Sequence, residues 1–322
     1  MPAGDRPADD GPARPLAVAG PTASGKSALA LALAERQGGW IINADALQVY
    51  RDLQVLSARP SAAEEARVPH RLYGVIDASE RCSVGRWLRL ARQEIAAARV
   101  AGARPILCGG TGLYLKALEE GLAEIPPVPA AIEAEEQAAL AREGGAARLA
   151  ALSASDPATA AGLRPADSQR IVRAWSVLRA TGRPLSAWQG ATAPGETLQW
   201  IVLLPSRPEL RQAVAERWRA MLSAGALEEV RRLLARNLDP ALPAMKAVGV
   251  AELAQVLRGE ASLEEASRRA IDRTRQYVKR QTTWLRTQVL AGPRRVTILE
   301  EKFSDEMRSI VFNKIPMSAL TA

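Results

Sequence analysis

The residues best suited to chemistry begin with an octapeptide. Gly20-Pro21-Thr22-Ala23-Ser24-Gly25-Lys26-Ser27 has the G-x-x-x-x-G-K-[ST] spacing of a phosphate-binding loop. Glycines let backbone N–H groups turn inward around an anion. The helix that should follow adds partial positive charge, Lys26 adds a full charge, and the Ser27 hydroxyl suits Mg²⁺. The pattern means a diphosphate or a triphosphate and does not single out ATP. Two acids close apolar runs, Asp45 in WIINAD and Asp77 in RLYGVID. A phosphate loop commonly works with a metal-assisting acid. Asp45 is the better placed, and Asp77 reads as a solvated strand-end carboxylate. Thr111 stands in a second glycine-rich turn, GGTGLY. Cations gather twice. Residues 164–183 carry Arg164, Arg170, Arg173, Arg179 and Arg183, and residues 268–286 carry Arg268, Arg269, Arg273, Arg275, Lys279, Arg280 and Arg286. Such runs neutralise phosphates, although a charge run is also the ordinary make-up of a solvated helix face.

These groups need elements to hold them. Apolar runs at 16–20, 40–45, 71–77, 105–110 and 198–205 predict strands. Helical spacing at 26–37, 87–100, 208–224, 227–236 and 262–289 predicts helices between and after them. Strands alternating with helices argue for an α/β fold, a phosphate-loop-NTPase-like parallel sheet flanked by helices. Loops that follow parallel strands meet at the carboxyl edge of the sheet, so the phosphate loop, Asp45 and Thr111 should converge. Residues 121–194 open on the proline-rich IPPVP and continue Ala-, Arg- and Glu-rich with no strand signal, which predicts a helical insertion domain. Residues 15–120 and 195–292 form the catalytic core on this reading. Residues 1–14 read as a disordered tail with no apolar leader, 293–322 carry no clear signal, and no internal repeat is present.

Composition narrows the function classes. The 322 residues are 48% apolar and 24% charged, an ordinary globular balance. A formal charge of +8 points to a polyanionic partner. One histidine, His70, and two cysteines, Cys82 and Cys108, exclude a zinc finger on ligand number. Both thiols read as core residues of a reducing cytoplasm, and His70 as structural. No run is long enough to span a bilayer. Trp87, Trp175, Trp188 and Trp218 read as packing residues.

Four stretches, taken together in order and spacing, resemble the tRNA dimethylallyltransferase (tRNA isopentenyltransferase, IPP transferase) family. They are GPTASGKS at 20–27, NADALQVYR at 43–51, GGTGLY at 109–114 and RTRQYVKRQTTW at 273–284. The resemblance covers about residues 15–290. It implies a magnesium-dependent enzyme that moves a prenyl group from dimethylallyl diphosphate to the amine of the adenosine beside the anticodon of tRNA. The loop would then hold the diphosphate. Asp45 would be the general base, with Thr22, Lys26 and Thr111 completing the catalytic set. Ala46, Leu47, Gln48, Gln169, Arg170, Arg173, Lys246, Gly249, Lys279, Arg280, Gln281, Trp284 and Arg286 match positions used on tRNA, together with Asp45 and Thr111, and residues 121–194 would bind the anticodon arm. The expected form is a cytoplasmic monomer. Ala46 stands where a serine is usual, Glu133 where an arginine is frequent, and Lys246 with Val250 and Ala251 replaces an Arg-x-x-Gly-Tyr-Arg pattern. Three rivals remain: a phosphate-loop kinase for a small acceptor, an RNA-binding protein that uses the loop as an anion site, and a prenyltransferase acting on AMP.

Overall fold

The computed structural model describes residues 14–188, 195–292, 294, 296–304 and 308–315. The expectation of a disordered tail falls, but for Arg14, outside them. In chain order the elements open with β1 (Leu16–Ala19), α1 (Lys26–Gln37), β2 (Trp40–Asn43), α2 (Ala62–Glu65), β3 (His70–Arg71), α3 (Val84–Val100), β4 (Pro105–Gly109) and α4 (Gly112–Glu120). Four helices follow, α5 (Ala130–Glu143), α6 (Gly145–Ser155), α7 (Pro157–Ala161) and α8 (Ser168–Thr181). Then come β5 (Gln199–Leu203), α9 (Arg207–Ser223), α10 (Ala226–Ala235), α11 (Val250–Leu257), α12 (Leu263–Trp284), β6 (Val296–Leu299) and α13 (Arg308–Lys314). The chain divides into two compact units, one of residues up to Glu119 with Glu196 onward, the other Glu120–Gly195.

The larger unit is built on one all-parallel sheet, ordered β3-β2-β4-β1-β5-β6. β1 sits centrally because LAVA is buried at every position, the pattern of a strand covered on both faces. β4 is likewise wholly buried. Its register sets Gly109 beside Ala19 and Cys108 beside Asn43, so three loops leave the same edge together. One face is filled by α1, whose Leu29–Ala34 run is buried right round the helix. On the other, Trp87 donates its indole N–H to the Asn43 carbonyl at 2.8 Å and stacks on Tyr114 at 4.3 Å.

One sequence expectation needs correction here. The run 71–77 is not one strand: β3 ends at Arg71, and only Ile76 pairs again, with Tyr50. Leu72 and Gly74 take positive φ, which breaks the extended path. The Asn43 side chain secures that turn by donating to the Leu72 carbonyl. The stretch after 293, which carries no clear signal in the sequence, holds among its described residues a sixth strand and a further helix, and the Phe303 N–H reaches back to the Ser24 carbonyl. The predicted helix at 262–289 is α12, capped by Ser262 and Glu265, running into a π-helical turn at Leu285–Val289.

The smaller unit contains helices and no described strand. Buried Glu136 binds both Arg148 and Arg179, and Arg148 lies over the Trp175 ring at 4.4 Å.

Candidate functional site

The phosphate loop runs from β1 into α1. Ala23 and Gly25 take φ of 68° and 86°, the left-handed conformations that turn successive N–H groups to one side. A side chain at Gly25 would overlap the Phe303 carbonyl. The Ser24 hydroxyl is buried with no hydrogen-bond partner among the described residues, and the Ser27 side chain is exposed. Among the described residues Lys26 reaches only the Pro21 carbonyl, at 3.4 Å. Burial pulls its pKa down; Cys108 and Asp45 oppose that shift, and Arg217 reinforces it. Beneath the loop, burial pushes the Cys108 thiol up to about 11, so it stays protonated at neutral pH.

Asp45 follows β2 and is held from both sides. Its N–H donates to Asn43 Oδ1 at 2.8 Å, and its Oδ1 accepts from the Leu47 N–H at 2.9 Å. The second oxygen has no hydrogen bond among the described residues. Thr111, after β4, accepts from the Ala46 N–H at 2.9 Å through Oγ1 and bonds the Tyr277 hydroxyl. Burial, followed by the Asp45 charge, raises the Tyr277 pKa. Asp45, Thr22, Arg217 and Tyr277 all line one pocket. Thus the expected convergence of Asp45 with the phosphate loop is observed, and Thr111 joins it through Ala46 and Tyr277.

α12 links these loops from behind. Gln281 is 6% exposed. Its Oε1 accepts from the Thr22 N–H at 2.8 Å, and its Nε2 donates to the Gly110 carbonyl at 3.0 Å. Gly110 packs against that carboxamide and Gly112 against the Trp284 ring, too closely for any β-carbon. Gln281, expected among the positions used on tRNA, has both ends of its carboxamide engaged within the protein. Trp284 is half-buried on Gly112. Gln48 is also committed inward, to the Ser57 and Ala58 carbonyls. Buried Gly249, at φ 101°, packs on Leu56 and Trp218, so its demand is steric.

The opposite face of α12 is cationic. Lys279 and Arg286 join Arg207, Arg211 and Arg275 along a cleft of about 940 Å³ that also holds Asp272 and Glu300. Arg275 pairs with Asp272, while the other four cations have no ion pair among the described residues. Arg280 lies over Tyr277, and Lys246 is exposed on the turn Ala244–Lys246. In the smaller unit, Gln169 and Arg170 are exposed on α8 and Arg173 is half-exposed, whereas Arg179 is drawn to Glu135 and Glu136. That removes Arg179 from the free cations of its run.

Comparisons with known proteins identify the family. A family model described as IPP transferase matches residues 48–288, and one described as isopentenyl transferase matches 15–80. A protein of Rhodospirillum centenum named tRNA dimethylallyltransferase is 56% identical over 283 residues, covering 87% of this chain and 90% of its own. The chain belongs to the IPP transferase family. A Rhodospirillum rubrum relative of the same name is 56% identical over 287 residues, 88% of each chain. The full-length tRNA isopentenylpyrophosphate transferase of Bacillus halodurans superposes with a TM-score of 0.65 at 30% identity, over 95% of this chain and 98% of that one. A eukaryotic dimethylallyltransferase, solved acting on tRNA, shares the fold at a TM-score of 0.77 and 24% identity, over 94% of this chain and 81% of that one.

Prenyl transfer is therefore the chemistry of this IPP transferase, and its charged groups divide accordingly. Arg217, which the sequence reading passed over, donates to the Ser57 carbonyl at 3.2 Å; burial lowers its pKa and Asp45 opposes that. Its signal was an arginine sharing the α9 face of Leu210, Val214, Trp218 and Met221. Asp77 is no lone solvated acid. Arg236 bridges it to Asp52 and, with Ser79, holds its carboxyl well below the usual range. His70 bonds the Val68 carbonyl and lies edge-on to Tyr73. Among the described residues no His/Cys/Asp/Glu cluster could cage a metal, and no helix is long and apolar enough to cross a membrane.

Proposed function

We propose that the protein transfers a dimethylallyl group from dimethylallyl diphosphate to the exocyclic amine of the adenosine 3′ to the anticodon in tRNA. The observation that carries this reading is the shared pocket, in which Thr22 of the phosphate loop meets a half-buried carboxylate with a free oxygen. The amine is a weak nucleophile because its lone pair is delocalised into the ring. It attacks the allylic C1, the C1–O bond breaks, and the electron pair leaves on diphosphate. Asp45 takes the amine proton on its free oxygen as general base. Lys26, Arg217 and the loop N–H groups from Ala23 to Ser27 stabilise the departing charge. Thr22 and Thr111 orient donor and acceptor.

Mg²⁺ fits the exposed Ser27 hydroxyl, because that ion keeps several waters and takes few protein ligands beside phosphate oxygens. When bound there it neutralises diphosphate charge. The cations Lys279, Arg280, Arg286 and Lys246 in the larger unit, and Arg170 and Arg173 with Gln169 in the smaller, offer RNA phosphates the free positive charge they require. The target base leaves its stack to reach such a pocket. The protein works as a cytoplasmic monomer on this reading.

The test is incubation of the protein with Mg²⁺, labelled dimethylallyl diphosphate and unmodified tRNA. Label should enter RNA with wild type and not with Asp45→Asn. Label in AMP alone, or ATP turnover with a small acceptor, would overturn the assignment.

A further inference from the structure

The pocket at Asp45 has two chemically distinct walls, and the apolar one is ordered along α9. Val214, Trp218 and Met221 share one face of that helix by i, i+4, i+7 spacing, with the charged Arg217 beside them. Val214 marks the phosphate end, since it packs in one cluster with Ala23 of the loop. Met221 stands two helical turns further on, about 10 Å at the helical rise. Trp218 between them is buried and lies so close to Gly249 that a β-carbon there would stand 3.0 Å from its ring. Met221 is only half-buried, and its unbranched thioether is the adjustable part of this wall. The free space measures about 70 Å³. A water-sized group needs on the order of 10–15 Å³ of such space, so the sheltered part of this open pocket matches about five non-hydrogen atoms. That is the size of one isoprene unit, and a ten-carbon chain is about twice that size.

We propose that Met221, backed by Trp218, limits the donor to a five-carbon allylic diphosphate. The assignment rests on the prenyl-transfer reading above and makes Met221 a specificity-determining residue. The step itself is unchanged for any donor length: the N–C1 bond forms, the C1–O bond breaks, the amine proton passes to Asp45 and diphosphate leaves with the electron pair. A longer allyl has its reactive C1 in the same place but its second isoprene unit in the volume of the Met221 side chain. Shortening that side chain opens the far end without touching Thr22, Asp45 or Arg217.

The experiment compares kcat/KM for dimethylallyl and geranyl diphosphate, each with Mg²⁺ and unmodified tRNA. Wild type should prefer the shorter donor strongly. Met221→Ala should narrow that preference by about 10- to 200-fold, the range for methylene-sized changes in an apolar pocket, with unchanged affinity for tRNA. Met221→Phe should raise KM for dimethylallyl diphosphate, and Met221→Leu, of similar volume, should keep the wild-type preference. An unchanged ratio in Met221→Ala, with wild type active, overturns the length limit alone. A rise confined to KM for tRNA overturns it too, and gives the pocket to the acceptor base. Wild type inactive with both donors overturns the proposed function and this assignment with it.

Discussion

The two oxygens of Asp45 have different duties, and substitutions can separate them. Oδ1 accepts the Leu47 N–H and fixes the turn after β2, while the second oxygen is free for a proton. Asparagine can keep the first contact and cannot act as base. Asp45→Asn should therefore retain tRNA affinity and lose about 10²- to 10⁴-fold in turnover; near wild-type transfer would remove Asp45 from the base role. Cys108 gives a second residue-scale expectation. Its thiol holds its proton up to about 11 in the fold, against 9.0 for an ordinary thiol. The folded state binds more protons in that interval, so this contribution to stability is complete below pH 9 and is lost as pH rises through 11. Urea midpoints measured across that range should fall less steeply in Cys108→Ala. Single residues were unevenly legible in the sequence. Lys26 and Asp45 declare themselves because a motif and a strand end frame them. Arg217 and the internal role of Gln281 do not, because each depends on what a distant loop places opposite.

At the scale of elements, the interlock of α12 with the glycine-rich turn after β4 explains why two motifs far apart in the chain go together. Gln281 and Trp284 are three residues apart on one helical face, and Gly110 and Gly112 are the surfaces they press on. Gly112→Ala should overlap the Trp284 ring and destabilise by about 1–3 kcal/mol, the usual penalty for overpacking. Pairing it with Trp284→Ala should recover much of that loss, a non-additivity expected of residues in contact. Additive losses in thermal or urea unfolding would show that the two positions do not share the strain. The same scale decides which elements sequence could reveal. β1, β4 and α1 are apolar throughout because the fold covers both faces, and their runs are unmistakable. β3 fails as a long strand because a turn at Leu72, a residue with no turn preference, interrupts it. β6 has one buried residue among four, VTIL, so its apolar signal is slight, and pairing with β5 is what makes it a strand.

For the whole molecule, net charge is a weaker guide than which charges are neutralised at home. The chain has 43 basic and 35 acidic side chains, yet many arginines already hold a carboxylate: Arg148 and Arg179 on Glu136, Arg236 on Asp52 and Asp77, Arg258 on Glu260. The free cations concentrate where Lys279 and Arg286 face the α9–α12 cleft. If RNA phosphates follow that cleft, each lost contact should lower the slope of log affinity against log salt by about 0.7 to 1. Lys279→Ala and Arg286→Ala should each do so, and weaken binding to unrelated single-stranded RNA as well, because phosphate contacts carry no sequence information. Arg258→Ala, whose partner is Glu260, should leave the slope alone. A wild-type slope in both cleft variants would place the RNA elsewhere on the protein. A reduced slope in Arg258→Ala as well would mean that overall charge, rather than this groove, draws the RNA in.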